Sequence, residues 1–234
     1  MLYLIIQIIA FQALFLLVYD LFLKRETFFN CNRDYLITTA VLSLVLPFIK
    51  WPTLKTMTVK DAVIHLPEVF IGTPKPTPTE IFVAEQAGIS MVQPEIPIWQ
   101  IILFLGSVLA TAIFLYKIFK IMVLKKRNPK RWHGNILIVN LLKSSTAFSF
   151  FNTIFIGERI PDLEKKTIFK HELIHVNEYH SIDVLFFEML RIIMWFNPMV
   201  YLYQNRIKDL HEFIADSKAA KEQGKTTYYQ NLLN

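Results

Sequence analysis

Two long apolar stretches constrain the fold of this chain more than any other feature of its sequence. Leu2 to Leu23 is almost entirely apolar, and Ile98 to Leu115 has the same character. A helix of about 20 residues crosses a hydrocarbon core about 30 Å thick. Because unpaired backbone polar groups are very costly in lipid, such segments cross it as helices. The sequence therefore predicts a membrane protein with helical spans.

A shorter apolar run from Tyr35 to Ile49 is interpreted as a further span. The first run is interpreted as a span and not as a cleaved signal peptide, because it lacks a basic segment before it and a small-residue cleavage site after it. We therefore predict a transmembrane region at 1–124 and a second domain at 125–234. The region would contain spans at about 2–23, 35–50 and 98–116, with an extracytoplasmic loop at 51–97.

The distribution of charge predicts the orientation of these spans. The formal net charge is +6, and the basic residues cluster at 24–34 and after residue 116, whereas the loop at 51–97 carries more acidic than basic residues. The positive-inside rule then places the N-terminus and this loop outside, and the second domain in the cytoplasm. The same clustering explains the net charge without direct nucleic-acid binding. Cys31 is the single cysteine, so an intramolecular disulfide is excluded.

The second domain has the pattern of a compact α+β unit. Short strands are predicted at 135–140 and 148–156, and a helix is predicted from Asp162 to about His180. The apolar stretch at 182–203 is long enough to suggest a fourth span, but Asn197 and Pro198 interrupt it. We interpret it as a helix-turn-helix that packs on the preceding helix and is compatible with a dip into the membrane.

The sequence HELIH at 171–175 lies within the predicted helix. His171 and His175 are four residues apart and share one helix face, so both imidazoles can reach one metal ion. Two imidazoles bind Zn²⁺ well, and a nearby carboxylate that does not bind the metal can accept a proton from water. The motif therefore predicts a zinc-dependent hydrolase in which Glu172 is the general base.

A catalytic zinc ion needs a third protein ligand. His180 follows His175 by five residues. On a continuous helix its side chain would point about 140° away from that of His175. The metzincin pattern has a glycine at the position of Glu178, so that pattern is excluded. Glu188 is three residues from Arg191 and is expected to pair with it.

The adjacent His211 and Glu212 are the other candidates, and only one of the two can face the metal. Glu212 and Asp216 are four residues apart and share a helix face. Glu212 could bind zinc while Asp216 accepts the second N–H of a ligand histidine, as outer carboxylates often do. A solvated acidic face is the alternative, and the residues alone leave both interpretations open.

The motif HELIH, the sequence WFNP at 195–198 and the sequence EFIAD at 212–216 follow one another behind the apolar runs. Together they resemble the integral-membrane metallopeptidases of the BlaR/MecR type, the β-lactam-sensing antirepressor receptors and their relatives. The resemblance covers nearly the whole chain. It implies three transmembrane helices followed by a cytoplasmic, gluzincin-like zinc peptidase domain with a small β-sheet, in the plasma membrane of a bacterium.

The resemblance also implies a role for each site residue. His171, His175 and Glu212 would be the zinc ligands, Glu172 the general base, and Asp216 a support for a ligand histidine. The implied substrate is a cytoplasmic transcriptional repressor, cleaved after self-cleavage or another activating step. Receptors of this family continue into a fourth span and a sensor domain, which the 234 residues do not include, so no β-lactam signal is implied.

Two other functions fit the same residues. A quality-control protease of membrane proteins would use the same zinc chemistry on many substrates. A non-proteolytic receptor would keep the zinc fold and signal by a change of conformation. The sequence predicts neither the activating signal nor the oligomeric state.

Overall fold

The structure is a computed structural model, and it describes residues 2–49 and 97–223. The larger of two compact units comprises residues up to Phe48 and from Leu105 onward, and it holds both the sheet and the HELIH helix. The predicted extracytoplasmic loop at 51–97 lies almost wholly outside the described residues.

The helices are α1 (Leu2–Val18), α2 (Phe29–Val45), α3 (Ile98–Arg127), α4 (Asp162–Asn177), α5 (His180–Ile193) and α6 (Pro198–Gln223). The strands are β1 (Lys130–His133), β2 (Ile136–Leu141), β3 (Ala147–Phe150) and β4 (Thr153–Gly157).

Two helices among the described residues are long and apolar enough to cross a membrane, by length and composition. They are Tyr3–Leu23, in which a turn of π-helix extends α1, and Ile98–Arg127, which is α3. They correspond to the first and third predicted spans. Helix α3 continues beyond the predicted end at 116, and three basic residues occupy its last turn. The described residues therefore contain two candidate spans.

The prediction of a span at 35–50 is not supported, so the structure does not bear out three transmembrane helices. Helix α2 has 17 residues, and a 3₁₀ turn at Leu46–Phe48 extends it, but its first turns carry Arg33 and Asp34. The stretch without charge from Tyr35 to Phe48 has 14 residues, which at 1.5 Å per residue give about 21 Å, less than a hydrocarbon core of about 30 Å. The run is apolar because α2 packs in a protein core, where Leu36 and Ala40 are completely buried.

One hydrophobic core joins α1, α2, α5 and α6. The side chains of Leu36, Phe187, Tyr203 and Ile207 are fully buried in it. Burying a side chain of this size contributes about 1.5–3 kcal/mol each, so the core is a major source of stability. The predicted domain boundary after residue 124 stays a prediction, but this core takes side chains from both sides of it.

The four strands form a small mixed sheet in the order β1-β2-β4-β3. Strands β2 and β4 are parallel, and the two outer pairings are antiparallel. One face, with Ile138 and Ile154, packs on α4, and the other, with Val139 and Phe155, packs on the end of α3. The sheet confirms the predicted α+β character of this part of the chain, and it supports the helix that carries HELIH.

The single strand predicted at 148–156 is wrong, because this segment forms the hairpin of β3 and β4. Phe151, at its tip, has a φ of 47°. Non-glycine residues rarely adopt this left-handed conformation. The tip contains neither glycine nor proline, and Asn152 is its single favoured turn residue, so the sequence pattern favours one continuous strand.

The helix that carries HELIH ends earlier than predicted, at Asn177 instead of about His180. Tyr179 adopts a left-handed conformation with a φ of 56°, and α5 begins at His180. No glycine or proline marks this break. Glu178, at the end of α4, forms an ion pair with Lys218 of α6. The chain therefore turns after α4, and the side chains of α5 do not follow the helical register of α4.

The stretch at 182–203 forms the predicted helix-turn-helix, made of α5, a short turn and the start of α6. Asn197 of this turn is fully buried. Its side-chain amide donates a hydrogen bond of 2.6 Å to Oε1 of Gln12 in α1, and its Oδ1 accepts one of 2.9 Å from the backbone N–H of Met199. Asn197 thus both caps α6 and joins the turn to α1.

Replacing Asn197 by alanine is expected to destabilise the protein by about 2–3 kcal/mol, because Gln12 loses its buried partner and α6 loses its cap. Thermal unfolding in detergent would measure this as a lower Tm. Asn135→Ala, at an exposed position, is the control and should change stability by less than about 0.5 kcal/mol. Equal stability of both variants would contradict this role of Asn197.

Candidate metal centre and active site

The two histidines of HELIH face a carboxylate of α6. Nε2 of His171 and Nε2 of His175 are 3.1 Å apart. Oε2 of Glu212 lies 3.4 Å from Nε2 of His171, and Oε1 lies 3.8 Å from Nε2 of His175. One ligand atom from each residue lies within 4.8 Å of the other two. The three predicted zinc ligands therefore come together in space.

Close packing of α4 and α6 produces this arrangement. Ile174, between the two histidines, packs against Ala215, Ala219 and Ala220 of α6. Because protein interiors are packed almost without voids, the small side chains on α6 allow the two helices to approach closely. Glu212 stands one turn before Ala215 and therefore reaches the imidazoles.

The donor set fits a zinc ion. With Zn–N and Zn–O bonds of about 2.0–2.1 Å, tetrahedral geometry separates neighbouring ligand atoms by about 3.3 Å, close to the separations of these side chains. Burial lowers the pKa of His175 to about 4, with Glu212 opposing and His171 adding to the shift. The imidazole is therefore neutral at pH 7 and has its lone pair free for a metal.

Asp216 lies one turn beyond Glu212 on α6. Its Oδ1 is 3.1 Å from Nδ1 of His171. This places the carboxylate on the side of the ring opposite Nε2, within reach of an Nδ1–H, as carboxylates that orient ligand histidines commonly are. The structure thus puts Asp216 where the sequence predicts it, and its role as a support for His171 stays a prediction.

Glu172 lies beside the two histidines with only 9% of its surface exposed. Burial raises the pKa of its carboxyl, and a hydrogen bond with the side chain of Ser149 in β3 and the nearby His171 partly oppose this shift. A carboxylate with a raised pKa is a better base near neutral pH. The geometry is compatible with the predicted role as general base.

His180 is the residue that sequence reasoning missed. Its Nδ1 lies 2.8 Å from Nδ1 of His175. If His175 uses Nε2 for a metal, its Nδ1 carries the proton and donates it to Nδ1 of His180, which burial keeps neutral by lowering its pKa to about 2. The exclusion of His180 rested on a continuous helix, and the break at Tyr179 turns its ring back toward the site.

His180 belongs to a buried network that extends to α2. Its ring stacks on that of His211, with centroids 3.9 Å apart and planes at 9°. Nε2 of His211 lies 2.8 Å from Oδ2 of Asp183, and Nε of Arg33 donates to the same oxygen at 2.6 Å. His211 therefore faces Asp183, while its neighbour Glu212 faces the two histidines of HELIH.

Glu188, the remaining candidate ligand, lies away from the histidine pair's ligand atoms. Its Oε2 is 2.6 Å from Nη2 of Arg191, which confirms the predicted pair, and its Oε1 is 3.4 Å from Nζ of Lys117 in α3. Two cations thus compensate this buried carboxylate.

A cavity of about 270 Å³ adjoins the site. It is bounded by α3, β3, α4, α5 and α6, and its apolar lining includes Phe114, Ile118 and Val184. His175, Glu212 and Ser149 supply polar groups at its wall. The cavity is suited to an apolar side chain next to the reacting bond.

Comparison with known proteins agrees with the resemblance drawn from the motifs. A family profile described as BlaR1 peptidase M56 matches residues 152–234. This match supports a metallopeptidase of the BlaR type. It covers about a third of the chain, including HELIH and Glu212, and its family implies a bound metal ion, typically zinc. No curated protein matches the chain.

Replacing His180 by alanine is expected to lower zinc affinity about 10–100-fold, because Nδ1 of His175 loses the partner that orients the ring. Competition with a chelator would measure the affinity. His133→Ala, an exposed histidine outside the site, is the control and should leave it unchanged. An affinity equal to that of the unaltered protein would remove His180 from the metal centre.

Zinc binding should depend on the protonation of His171. Burial lowers the pKa of His171, but the hydrogen bond with Glu212 and the charges of Glu172 and Asp216 outweigh burial, so its pKa is raised above 6.5. At a pH below the pKa of His171, protons compete with zinc for its imidazole ring. Zinc affinity is therefore full when the pH is above this pKa, and it is lost as the pH falls below this pKa.

Replacing Asp216 by asparagine removes one of the charges that raise the pKa of His171. The pH at which half of the zinc affinity is lost should therefore shift downward. Asp209→Asn, an exposed position on the same helix, makes the same change of charge and should leave that midpoint in place. An unchanged or higher midpoint in Asp216→Asn would contradict the account.

Proposed function

We propose that this protein is a membrane-embedded zinc endopeptidase that acts in signal transduction. The observation that carries the proposal is the convergence of His171, His175 and Glu212, with the buried carboxylate of Glu172 beside them. The family match over this part of the chain supports peptidase chemistry for that arrangement.

The chemistry follows from the roles of these side chains. When bound, Zn²⁺ supplies Lewis acidity, which polarises a peptide carbonyl and makes water easier to deprotonate near neutral pH. Glu172 accepts a proton from the attacking water and delivers it to the leaving amine. Asp216 and His180 each hold one ligand histidine in orientation through its Nδ1.

Strand β3 is placed to bind an extended substrate. It is an edge strand of the sheet, and its outer side faces no other strand among the described residues. Ser149 and Phe150 of β3 also line the cavity. An extended peptide segment that pairs with this edge would gain backbone hydrogen bonds and direct alternate side chains toward the site.

We further propose that the catalytic part of the chain is cytoplasmic and the N-terminus extracytoplasmic, in a bacterial plasma membrane. The basic segments after α1 and at the end of α3 support this orientation. A cytoplasmic transcriptional repressor is the proposed substrate, and self-cleavage would use the same chemistry. Its support is the family resemblance of the motifs together with the family match.

Glu172→Gln tests the peptidase mechanism. The variant should retain zinc and lose about 10²–10⁴-fold in the rate of peptide cleavage, because the general base is removed while the ligands stay in place. Glu164→Gln, on the same helix, is the control and should keep the rate. Undiminished cleavage by the Glu172 variant would refute its role as base.

A comparison of the protein fragments in cells that contain the active protein or the Glu172 variant would identify the substrate. A single cleaved regulator is expected from a signalling peptidase. Many cleaved membrane proteins would indicate quality control instead, and signalling that persists in the Glu172 variant would indicate a non-proteolytic receptor.

A further inference from the structure

We propose that the turn between α5 and α6 is a re-entrant hairpin whose tip lies near the middle of the lipid bilayer. The tip consists of residues 194–198. The proposal rests on the membrane location put forward above, because the depth of the turn in the bilayer is measured along the two apolar helices α1 and α3. It does not depend on peptidase activity.

Contacts with α1 give one measure of the depth. Asp20, near the end of the first apolar helix, forms a 2.9 Å ion pair with Arg206 of α6. Eight residues earlier, Gln12 accepts the hydrogen bond from Asn197 of the turn. At 1.5 Å per residue this separation is about 12 Å on α1, and the interval from Asn197 to Arg206 is about 14 Å on α6.

Contacts with α3 give a second, independent measure. Lys117 pairs with Glu188 of α5, and Gly106 contacts the indole ring of Trp195 in the turn. A Cβ at position 106 would overlap that ring, so glycine is needed for the contact. Lys117 and Gly106 are separated by about 16 Å along the helix. On both apolar helices, the turn therefore lies about 12–16 Å from the charged pairs, about half the thickness of a hydrocarbon core.

The turn is built without reliance on water. Residues 192–203 contain no charged side chain, and their single amide side chain, that of Asn197, is buried. The hydroxyl of Tyr201 donates to the carbonyl of Trp195 at 2.7 Å, and the N–H of Asn197 donates to the carbonyl of Met194 at 2.9 Å. Irregular backbone is tolerated at membrane depth only when its polar groups are paired within the protein, and these two hydrogen bonds pair the carbonyls of Met194 and Trp195 within this turn.

An exposed apolar stripe on α5 provides a surface for lipid at the end of the helix near the turn. Ile182, Met189 and Ile193 are 52%, 39% and 68% exposed. Met189 and Ile193 follow Ile182 by seven and eleven residues, which places each of them within about 20° of Ile182 around the helix. The rest of the helix faces the protein, where Phe187 and Leu190 are buried in the core and Glu188 pairs with Arg191. An exposed apolar stripe on a helix whose other side is packed in the protein is suited to contact with lipid acyl chains.

The same geometry places the metal centre at the membrane surface. His180 begins α5 and His211 follows Arg206 by five residues, so both lie at the end of the hairpin that carries the charged pairs. The cavity beside the site is bounded by α3 as well. The hairpin would therefore hold the catalytic groups against the bilayer surface.

Spin labels on the full chain in lipid bilayers test the proposal. With Cys31→Ser as background, single cysteines replace Ile182, Met189 or Ile193, and Leu163 on α4, 77% exposed, serves as the matched control. The ratio of accessibility to oxygen over accessibility to a water-soluble nickel chelate reports depth. It should rise from Ile182 through Met189 to Ile193 and stay low at Leu163. A label at Ile193 as accessible to nickel as one at Leu163 would overturn the hairpin.

Zinc content and cleavage, measured on the same labelled samples, separate the two proposals. All four positions are exposed, so the labelled chains should fold and retain zinc. A water-exposed label at Ile193 in a chain that still cleaves its substrate would overturn the hairpin and leave the peptidase. A lipid-exposed label in a chain without proteolysis would support the hairpin while overturning the proposed enzyme.

Discussion

The site depends on the close contact between α4 and α6, where Ile174 packs on Ala215 and Ala219. Small side chains on α6 bring its backbone near α4, and Glu212 and Asp216, on either side of Ala215, then meet His171 from two directions. A larger side chain at position 215 would separate the carboxylates from the imidazoles, because cores accommodate added volume only by displacement.

Helix α6 also connects the site to the helices near the N-terminus. It buries Tyr203 and Ile207 in the core shared with α1 and α2, and Arg206 pairs with Asp20. On the other side of the site, the chain of contacts from His175 through His180, His211 and Asp183 ends at Arg33 of α2. Packed side chains therefore connect α1 and α2 to both sides of the candidate metal centre.

Periodic patterns predicted much of this arrangement. The four-residue spacing of His171 and His175, and of Glu212 and Asp216, determines which side chains share a helix face, and the structure brings these four together. The apolar lengths at α1 and α3 and the helix-turn-helix at 182–203 follow equally directly from helical geometry. Such features are local, so a single sequence contains the information needed to find them.

The failures occur where tertiary structure overrides local pattern. Tyr179 and Phe151 adopt left-handed conformations, and neither the end of α4 nor the tip of the β-hairpin has a glycine or a proline to mark the turn. The expectation that His180 points away from the site assumes a continuous helix, and the break at Tyr179 removes that assumption. The apolar side chains of α2 pack in a protein core. Hydropathy alone does not distinguish such a helix from one whose apolar side chains face lipid.

X-ray absorption at the zinc edge tests the central claim most directly. The protein purified with its metal should contain one zinc ion with nitrogen and oxygen neighbours at about 2.0–2.2 Å, a pattern that includes imidazole scattering from two histidines. Glu212→Gln should weaken zinc binding and change the oxygen component while the imidazole component persists. Sulfur neighbours at about 2.3 Å, or zinc affinity and spectra unchanged by Glu212→Gln, would contradict a centre made of His171, His175 and Glu212.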